Sequence, residues 1–455
     1  MTNLTSALTL ATDHLVSYRN GLGDQRVCSP ADPATVRNTF ERPLNDRTEA
    51  AADVIADLIA CAQDGLVATA GPRFFGFVVG GALPAATAAE VLAAGWDQCA
   101  FNAVLSPAAV AVEEIAGVWI KDLLGIPSSA SVGFVTGAQA ANTVGLAAAR
   151  HQVLAEAGWD VERKGLIGAP RVRVLASAER HATIDRSLRL LGFGSDVVES
   201  ARANAQGAID VDDLEKVLAA GESGPTIGCL QAGNVNTGAC DDLRAACELV
   251  HRYGGWAHVD GAFGLWAASN PGTRSMLDGV SLADSWGCDA HKWLNVPYDS
   301  AFAMCSRPEV HVAAMSYTAS YLVGSGGTPG AADFTAESSR RARGFAVWAA
   351  LRELGRDGVA DLVERCCRLA RQFADELSAA GFHIANDVVL NQVLVSFGDD
   401  AKTDRVIDVV QRGGTCWMGG TTWRGSRYMR ISVSNYATNE EDVHRSVEAI
   451  REAAK

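Results

Sequence analysis

Runs of apolar residues alternate with amphipathic segments through the middle of the chain, between about residues 130 and 305. Three strand-like runs each precede a segment of helical periodicity. The runs lie at 134–135, 172–175 and 227–230, and the helical segments at 138–156, 183–191 and 241–253. Two further apolar runs, at 255–259 and 283–288, read as buried strands. This alternation predicts an α/β fold with a mostly parallel central sheet and helices on both faces.

The two ends of the chain have other patterns. Residues 1–70 are helical in pattern but too poor in apolar surface for a core of their own, and an aromatic, glycine-rich stretch follows at 71–81. Beyond a glycine-rich loop at 324–330 we expect two amphipathic helices (337–354 and 359–380), strands at 393–395 and 428–433, and a last helix at 439–453. We therefore predict an N-terminal helical arm (1–85), a large domain (86–330) and a smaller C-terminal α+β domain (331–455).

Composition narrows the class of protein. The formal net charge of −14 argues against nucleic acid or an anionic membrane as a partner, since basic patches recruit both. The N-terminus lacks the pattern of a signal peptide, and no apolar run reaches the roughly 18 residues of a membrane span. The eleven cysteines form no CxxC pair and no zinc-ligand spacing, so we expect reduced thiols, no metal site and a cytoplasmic location.

Candidate chemistry begins with Asp260 and Lys292. The first ends the apolar run at 255–259, and the second follows the run at 283–288 within Asp289-Ala290-His291-Lys292. Carboxylates and lysines are rarely buried unless paired, so both residues need a chemical partner. Pyridoxal phosphate would supply one, because its aldehyde condenses with a lysine amine and its ring nitrogen pairs with an aspartate. A simple buried ion pair is the alternative.

Three turns at the same predicted sheet edge add to this picture. Residues 134–142 read as strand, glycine turn and helix start, which is typical of an anion site but also of a plain β–α turn. His181 follows the strand near 172–177, where it could stack on an aromatic ring or lie on the surface. The polar turn at 233–238 could face a cofactor or be an ordinary Asn-Gly turn.

Taken in this order, the pieces resemble the group II pyridoxal-phosphate-dependent amino-acid decarboxylases of fold type I, in the aspartate aminotransferase superfamily. The resemblance runs from 71–76 to 430–435, and its most specific part is His291-Lys292-Trp293-Leu294 with Pro297. It implies the fold of the fold type I pyridoxal-phosphate-dependent transferases. The resemblance also implies pyridoxal 5'-phosphate as cofactor, an amino acid as substrate, and a homodimer.

The resemblance also implies roles for single residues. Lys292 would form the internal aldimine, and Asp260 would keep the pyridine nitrogen protonated. His181 would stack on one ring face and Ala262 would line the other. The phosphate would be held by Gly137, Ala138, Gln139 and His291, with Asp289 nearby. Because the family usually has Ser or Thr at 138 and 139, phosphate binding here must depend more on backbone N–H groups.

Decarboxylation of an L-amino acid is the reaction that the resemblance favours. An aminotransferase, an aldehyde synthase or an aldol-type lyase on the same fold is the alternative, and a non-catalytic relative is a third. Phe77, Val78 and Val79 fall where the family lines its side-chain pocket, and no Arg or Lys lies between residues 74 and 97. An apolar or aromatic substrate is therefore expected. Arg430 matches the position that clamps the substrate carboxylate in aminotransferases, but it could equally be structural.

A last expectation concerns the loop at 317–337. In the decarboxylases a tyrosine of this loop protonates the carbanion left by carbon dioxide. Counting back from Arg340 places Ala331 at that position, and the closest tyrosine is Tyr321. Either Tyr321 is the acid, or the proton donor is missing and amine formation is slow or accompanied by a side reaction.

Overall fold

The computed structural model describes residues 4–317 and 329–455. Its helices are α1 (Leu4–Gly21), α2 (Pro33–Phe40), α3 (Ala51–Ala62), α4 (Pro84–Trp96), α5 (Pro107–Leu124), α6 (Ala138–Glu156), α7 (Val161–Lys164), α8 (Ala182–Leu190), α9 (Val211–Ala220), α10 (Leu243–Arg252), α11 (Pro308–Met315), α12 (Gly344–Ala379), α13 (Asp400–Gly413) and α14 (Glu440–Ala453). Its strands are β1 (Ser131–Val135), β2 (Arg173–Ser177), β3 (Val198–Ala201), β4 (Thr226–Gln231), β5 (Trp256–Asp260), β6 (Ser285–Asp289), β7 (Ala301–Cys305), β8 (His383–Ile384), β9 (Gln392–Ser396), β10 (Gly419–Trp423) and β11 (Ser426–Ser432).

The central sheet has seven strands in the order β1-β7-β6-β5-β4-β2-β3. Strands β3, β2, β4, β5 and β6 are parallel, and only β7 runs antiparallel to its neighbours β1 and β6. The predicted mostly parallel sheet is thus confirmed. Because the parallel strands end at one edge, the loops after β2, β4, β5 and β6 gather there.

Both faces of this sheet are buried. Val174 and Ala176 of β2 pack into a cluster with residues of α6 and α8, whereas Leu175 between them joins the main core on the opposite face. The same alternation occurs in β5, where Trp256 packs on one face and Ala257 on the other. Since successive strand residues point to opposite faces, a sheet buried on both sides gives the unbroken apolar runs seen in the sequence.

A second, antiparallel sheet of order β10-β11-β9-β8 lies in the C-terminal part with α13 and α14. One detail differs from expectation. The helix predicted to begin at residue 337 begins at Gly344. The residues just before it are not helical, because Arg340 among them is held by a buried ion pair with Glu113. The two helices predicted after the loop are both present within α12, where a non-helical residue, Gly355 with a φ of 62°, separates them as expected.

No helix within residues 4–317 and 329–455 is long and apolar enough to cross a membrane.

Candidate active site

A cavity of about 220 Å³ opens at the carboxyl ends of the parallel strands. It brings together all nine residues that the sequence predicted to bind the cofactor: Gly137, Ala138, Gln139, His181, Asp260, Ala262, Asp289, His291 and Lys292. The sequence did not single out Thr183, Gln231 and Phe263, which also line the cavity. The lining comes from segments far apart in sequence, as expected where several strands end together.

Asp260 is the last residue of β5, between β4 and β6, and is 5% exposed. One carboxylate oxygen, Oδ1, accepts a hydrogen bond from the backbone N–H of Ala262 at 3.3 Å. The other, Oδ2, accepts one from the hydroxyl of Thr183 at 3.3 Å. No lysine or arginine of the described residues forms an ion pair with Asp260. A buried carboxylate of this kind suits a cationic ligand group.

Lys292 lies in the turn after β6. Its Nζ is 2.9 Å from Oδ2 of Asp289, whose Oδ1 accepts a hydrogen bond from the N–H of Ala138 at 2.6 Å. Asp289 thus links the lysine to the N-terminus of α6. The backbone of Lys292 is packed closely, because a Cβ on Gly80 would lie only 1.9 Å from the Lys292 carbonyl oxygen. A glycine is therefore required beside the lysine turn.

The side chain of Asn295, fully buried, holds this turn in place. Its Oδ1 accepts hydrogen bonds from the N–H groups of Gly81 (2.5 Å) and Tyr436 (2.9 Å). Its Nδ2 donates to the carbonyls of Trp293 (2.8 Å) and Ser434 (2.9 Å). The backbone of Asn295 has a φ of 57°, a conformation that asparagine tolerates better than most residues. One amide thus connects the lysine turn to two distant segments.

The N-terminus of α6 offers backbone donors to an anion. Gly137 is the N-cap, and the N–H of Ala138 points at Asp289. The side-chain amide of Gln139 is turned aside and donates to Ser187 Oγ at 2.8 Å and to the Thr183 carbonyl at 3.3 Å. Phosphate contacts at this turn would therefore come from the backbone, as the sequence suggested.

The two histidines of the cavity have partners that fix their rings. His181 is the N-cap of α8, and its Nδ1 accepts from the Thr183 N–H at 3.3 Å, which leaves the proton on Nε2. The Nδ1 of His291 accepts from the N–H of Ser300 at 3.2 Å. Burial lowers the pKa of both side chains, so each is uncharged near neutral pH.

Behind Asp260 a chain of buried polar side chains continues into the core. The Thr183 hydroxyl contacts His181 Nδ1 at 2.9 Å and accepts from Asn142 Nδ2 at 3.3 Å. Asn142 Oδ1 is 3.1 Å from His258 Nε2, and His258 Nδ1 is 2.9 Å from Ser285 Oγ. Burial lowers the pKa of His258 to about 4. The network orients the carboxylate through neutral groups, without a competing charge.

The residues predicted to meet the substrate are less closely grouped. Phe77, Val78 and Val79 do not line the cavity but precede Gly80, which touches Lys292. Phe77 is 64% exposed and stacks on Trp417 with ring centroids 5.2 Å apart. Both Phe77 and Val78 have positive φ. This conformation is rare for bulky and β-branched residues, and such strained residues cluster in functional segments.

Arg430 and Tyr321 complete the predicted set. Arg430 lies in β11, near enough to His181 for its charge to lower the histidine pKa, and burial lowers the pKa of Arg430 itself. No hydrogen bond or ion pair joins its guanidinium to another of the described residues. Tyr321 lies outside the described residues. Ala331 lies in a short 3₁₀ helix and lines a different cavity, beside Glu113 and Glu114 of α5.

This donor set fits a phosphorylated pyridine aldehyde. The amine of Lys292, the carboxylate of Asp260 and the N-terminus of α6 lie around one cavity. A buried amide nitrogen, Nε2 of Gln231, has no hydrogen-bond partner there, which also indicates room for a polar ligand. Among the described side chains, no group of His, Cys, Asp and Glu could hold a metal ion.

Comparison with known proteins points the same way. A family model described as the pyridoxal-dependent decarboxylase conserved domain matches residues 33–398. Phenylacetaldehyde synthase of Arabidopsis thaliana is 25% identical over 98% of this chain and 94% of its own length. L-2,4-diaminobutyrate decarboxylase of Acinetobacter baumannii is 28% identical over 62% of this chain and 57% of its own length. The crystal structure of Oryza sativa TDC with PLP and tryptamine superposes with a TM-score of 0.92 at 23% identity, covering 99% and 97% of the two chains.

Proposed function

Because the chain belongs to the pyridoxal-dependent decarboxylase family, we propose that it removes the α-carboxylate of an L-amino acid with a neutral, apolar or aromatic side chain. The family fixes the cofactor, pyridoxal 5'-phosphate, and the class of enzyme, a carbon–carbon lyase. The observation that carries the residue assignments is the meeting of Lys292, Asp260 and His181 in one cavity.

Each of the chain's own residues has a task in this proposal. Lys292 binds the cofactor aldehyde and moves protons once the substrate amine has taken its place. Asp260 holds a proton on the ring nitrogen. His181, neutral and fixed by Thr183, covers one ring face and excludes water, while Ala262 lines the other. When bound, the cofactor supplies a protonated pyridine ring that accepts the electrons of the breaking bond.

The phosphate is assigned to the N-terminus of α6, with Gly137, Ala138 and Gln139 contributing backbone N–H groups and His291 lying beside them. Asp289 now accepts the Ala138 N–H and contacts Lys292. We infer that it positions the lysine amine through its Oδ2, and that the phosphate would replace its Oδ1 at the Ala138 N–H.

The substrate class follows from the charges around the site. Arg430 has no carboxylate partner among the described residues and is therefore available to the substrate carboxylate. The segment Phe77, Val78 and Val79, which leads to Gly80 beside Lys292, is apolar, and the only charged residues between 74 and 97 are acidic, Glu90 and Asp97. Glu90 is paired with Arg341. This stretch of the chain thus offers no cation to an acidic substrate side chain.

Two measurements test the function. The purified protein should absorb in the visible region, and borohydride reduction should fix the cofactor to the peptide that contains Lys292, as detected by mass spectrometry. A screen of the twenty amino acids for carbon dioxide release should give activity with an apolar or aromatic substrate. Activity on glutamate or aspartate alone would refute the proposed substrate class.

An aldehyde synthase is the second candidate. It is favoured by Ala331, which stands where the family's loop tyrosine is expected and lines a separate cavity beside α5. Product analysis under air distinguishes the two activities, because a decarboxylase gives the amine, whereas the synthase gives the aldehyde, ammonia and hydrogen peroxide. Substituting Tyr321→Phe tests the remaining donor: amine formation should collapse if Tyr321 is the acid.

We also propose that the enzyme is a homodimer. Several apolar side chains of the N-terminal arm are exposed in the single chain: Leu4, Leu8, Val16, Phe40, Leu44, Val54 and Leu58. Helices α1 and α3 pack mainly on each other, so their outer faces need a second copy as cover. Sedimentation should give twice the chain mass, and a fully active monomer would contradict the proposal.

We further propose a cellular location for the protein and a division of the chain into three domains. All eleven cysteines are free thiols, which supports a reducing compartment such as the cytoplasm. The division into residues 1–85, 86–330 and 331–455 is supported by the placement of β1–β7 in the second part and β8–β11 in the third. Limited proteolysis of the holoenzyme, with the fragments identified by mass, tests the two boundaries.

A further inference from the structure

Gln231 is a buried residue at the end of β4 whose amide nitrogen has no partner. The residue is 6% exposed and lines the catalytic cavity, and Nε2 forms no hydrogen bond with the described residues. Leaving such a donor unpaired in a protein interior is costly, so an amide of this kind indicates a missing acceptor.

The backbone of Gln231 is held in place by a buried carboxylate. Its N–H donates to Oδ2 of Asp241 at 2.7 Å, and that buried carboxylate also accepts from the N–H of Ile209 at 2.7 Å. Gln231 is the register partner of Asp260 across the parallel pair β4 and β5. Paired residues of neighbouring strands lie on the same face, which places the amide beside the carboxylate that would hold the ring nitrogen.

The positions of the substituents on the cofactor ring determine which group the Gln231 amide would contact. In pyridoxal phosphate, the 3-oxygen and the 5-phosphomethyl group lie on opposite sides of the line through the ring nitrogen and the aldehyde carbon. The phosphate belongs at the N-terminus of α6, which follows β1, and the ring nitrogen belongs at Asp260 of β5. Strands β1 and β4 lie on opposite sides of β5 in the sheet. The 3-oxygen must therefore face β4, where Gln231 lies.

We propose that Gln231 is a cofactor-contacting residue whose side-chain amide donates a hydrogen bond to the 3-oxygen of the pyridine ring. This inference rests on the proposed orientation of the cofactor with its nitrogen at Asp260. The donor stabilises the ionised form of the 3-oxygen and, together with Asp260 and the α6 N-terminus, fixes the ring at three points. The structure gives the amide no other partner among the residues it describes.

The test compares two ligands on two proteins. Dissociation constants are measured by tryptophan fluorescence quenching for pyridoxal 5'-phosphate and for an analogue that lacks the 3-hydroxyl. The wild type and Gln231→Met, which keeps the length of the side chain but has no donor, are loaded with each in turn. Substituting Met should weaken binding of pyridoxal phosphate by about tenfold, as expected for a hydrogen bond to an ionised oxygen, and leave the analogue unaffected. The matched control is Gln152→Met, a half-buried position on α6 outside the cavity.

A second readout is the absorbance of the bound cofactor as a function of pH. Because a donor at the 3-oxygen favours its ionised form, Gln231→Met should raise the midpoint of the absorbance change by about one pH unit. Gln231→Glu cannot donate from a carboxylate and should bind pyridoxal phosphate more weakly than the Met variant. Thermal unfolding of the cofactor-free proteins checks that each variant folds.

Three outcomes would overturn the inference. The first is a Met variant that loses affinity equally for both ligands, which would assign Gln231 a structural role. The second is a Glu variant that binds pyridoxal phosphate as tightly as the wild type. In the third, the wild type binds neither ligand, which would refute the proposed function together with this inference. If the Met variant does not fold, equal affinity of the wild type for the two ligands is itself a refutation.

Discussion

Asn295 should control how firmly the lysine turn is held. Its side chain forms four hydrogen bonds, to Gly81, Tyr436, Trp293 and Ser434, of which the one to Tyr436 is part-buried and the other three are buried. At about 1 kcal/mol net for each, the four contribute about 4 kcal/mol. The positive φ of 57° adds a second effect, because alanine in the left-handed region costs roughly 1 kcal/mol more than glycine. We therefore expect a loss of about 4 kcal/mol for Asn295→Gly and about 5 kcal/mol for Asn295→Ala.

Hydrogen–deuterium exchange measured by mass spectrometry is the suitable assay, because it reports local opening in a large protein. If the four bonds open together, amides in peptides covering 78–84 and 434–438 should exchange on the order of a thousandfold faster in Asn295→Gly. The additional loss in Asn295→Ala should be about fivefold. Asn38→Ala, at an exposed position in α2, serves as the control and should change neither peptide.

The reasoning would be refuted if the Gly81 and Tyr436 amides kept their protection in Asn295→Gly. It would also be refuted if amides exchanged faster in Asn295→Gly than in Asn295→Ala, because glycine adopts a positive φ at lower cost than alanine. If exchange became faster but cofactor affinity did not change, Asn295 would determine the local stability of the turn without determining the position of Lys292.

Four further predictions concern the site and the core. Lys292→Ala should abolish borohydride fixation of the cofactor and lower carbon dioxide release by roughly 10³-fold or more, and residual activity near the wild-type level would exclude Lys292 from catalysis. Asp260→Asn should weaken cofactor binding by about 10- to 100-fold, since a hydrogen bond to an ionised group is lost, as dialysis would show. Thr183→Val should weaken cofactor binding by roughly tenfold while Thr183→Ser does not, because only the hydroxyl joins His181 to Asp260. Burial lowers the pKa of His258 and His311 to about 4, below the unfolded value near 6.5. The free energy of unfolding should therefore fall as pH drops from about 6.5 to about 4, by up to about 3 kcal/mol for each residue. In a series of thermal melts, His311→Gln should reduce that fall.

The fold could be predicted where the pattern was local. Helix α6 coincides with the expected segment at 138–156, because a glycine turn marks its beginning in the sequence. Helix α4 (84–96) was not predicted, since its alanine-rich sequence has no marked apolar face. The late start of α12 at Gly344 depends on the ion pair of Arg340 with Glu113, 227 residues earlier. No local pattern contains that information.

The site residues that could be predicted are likewise those with a local signal in the sequence. Lys292, Asp260 and His181 could be placed at one sheet edge because each follows an apolar strand, and strand ends of a parallel sheet converge. Thr183, Asn142 and His258 could not, since a threonine at the start of a helix and a histidine in a buried strand have ordinary structural explanations. Their connection to Asp260 exists only through packing of α8, β5 and α6.

Gln139 shows how a departure from the family pattern can have a structural cause. The sequence presents it as a residue that replaces a hydroxyl at the phosphate turn. In the structure its amide donates instead to Ser187 Oγ and the Thr183 carbonyl on α8, the helix that His181 caps. The side chain therefore joins the helix that would bind the phosphate to the helix that positions the stacking histidine. Because Asn142 and Thr143 of α6 also contact α8, a shift of α8 would be transmitted to the phosphate turn through several side chains.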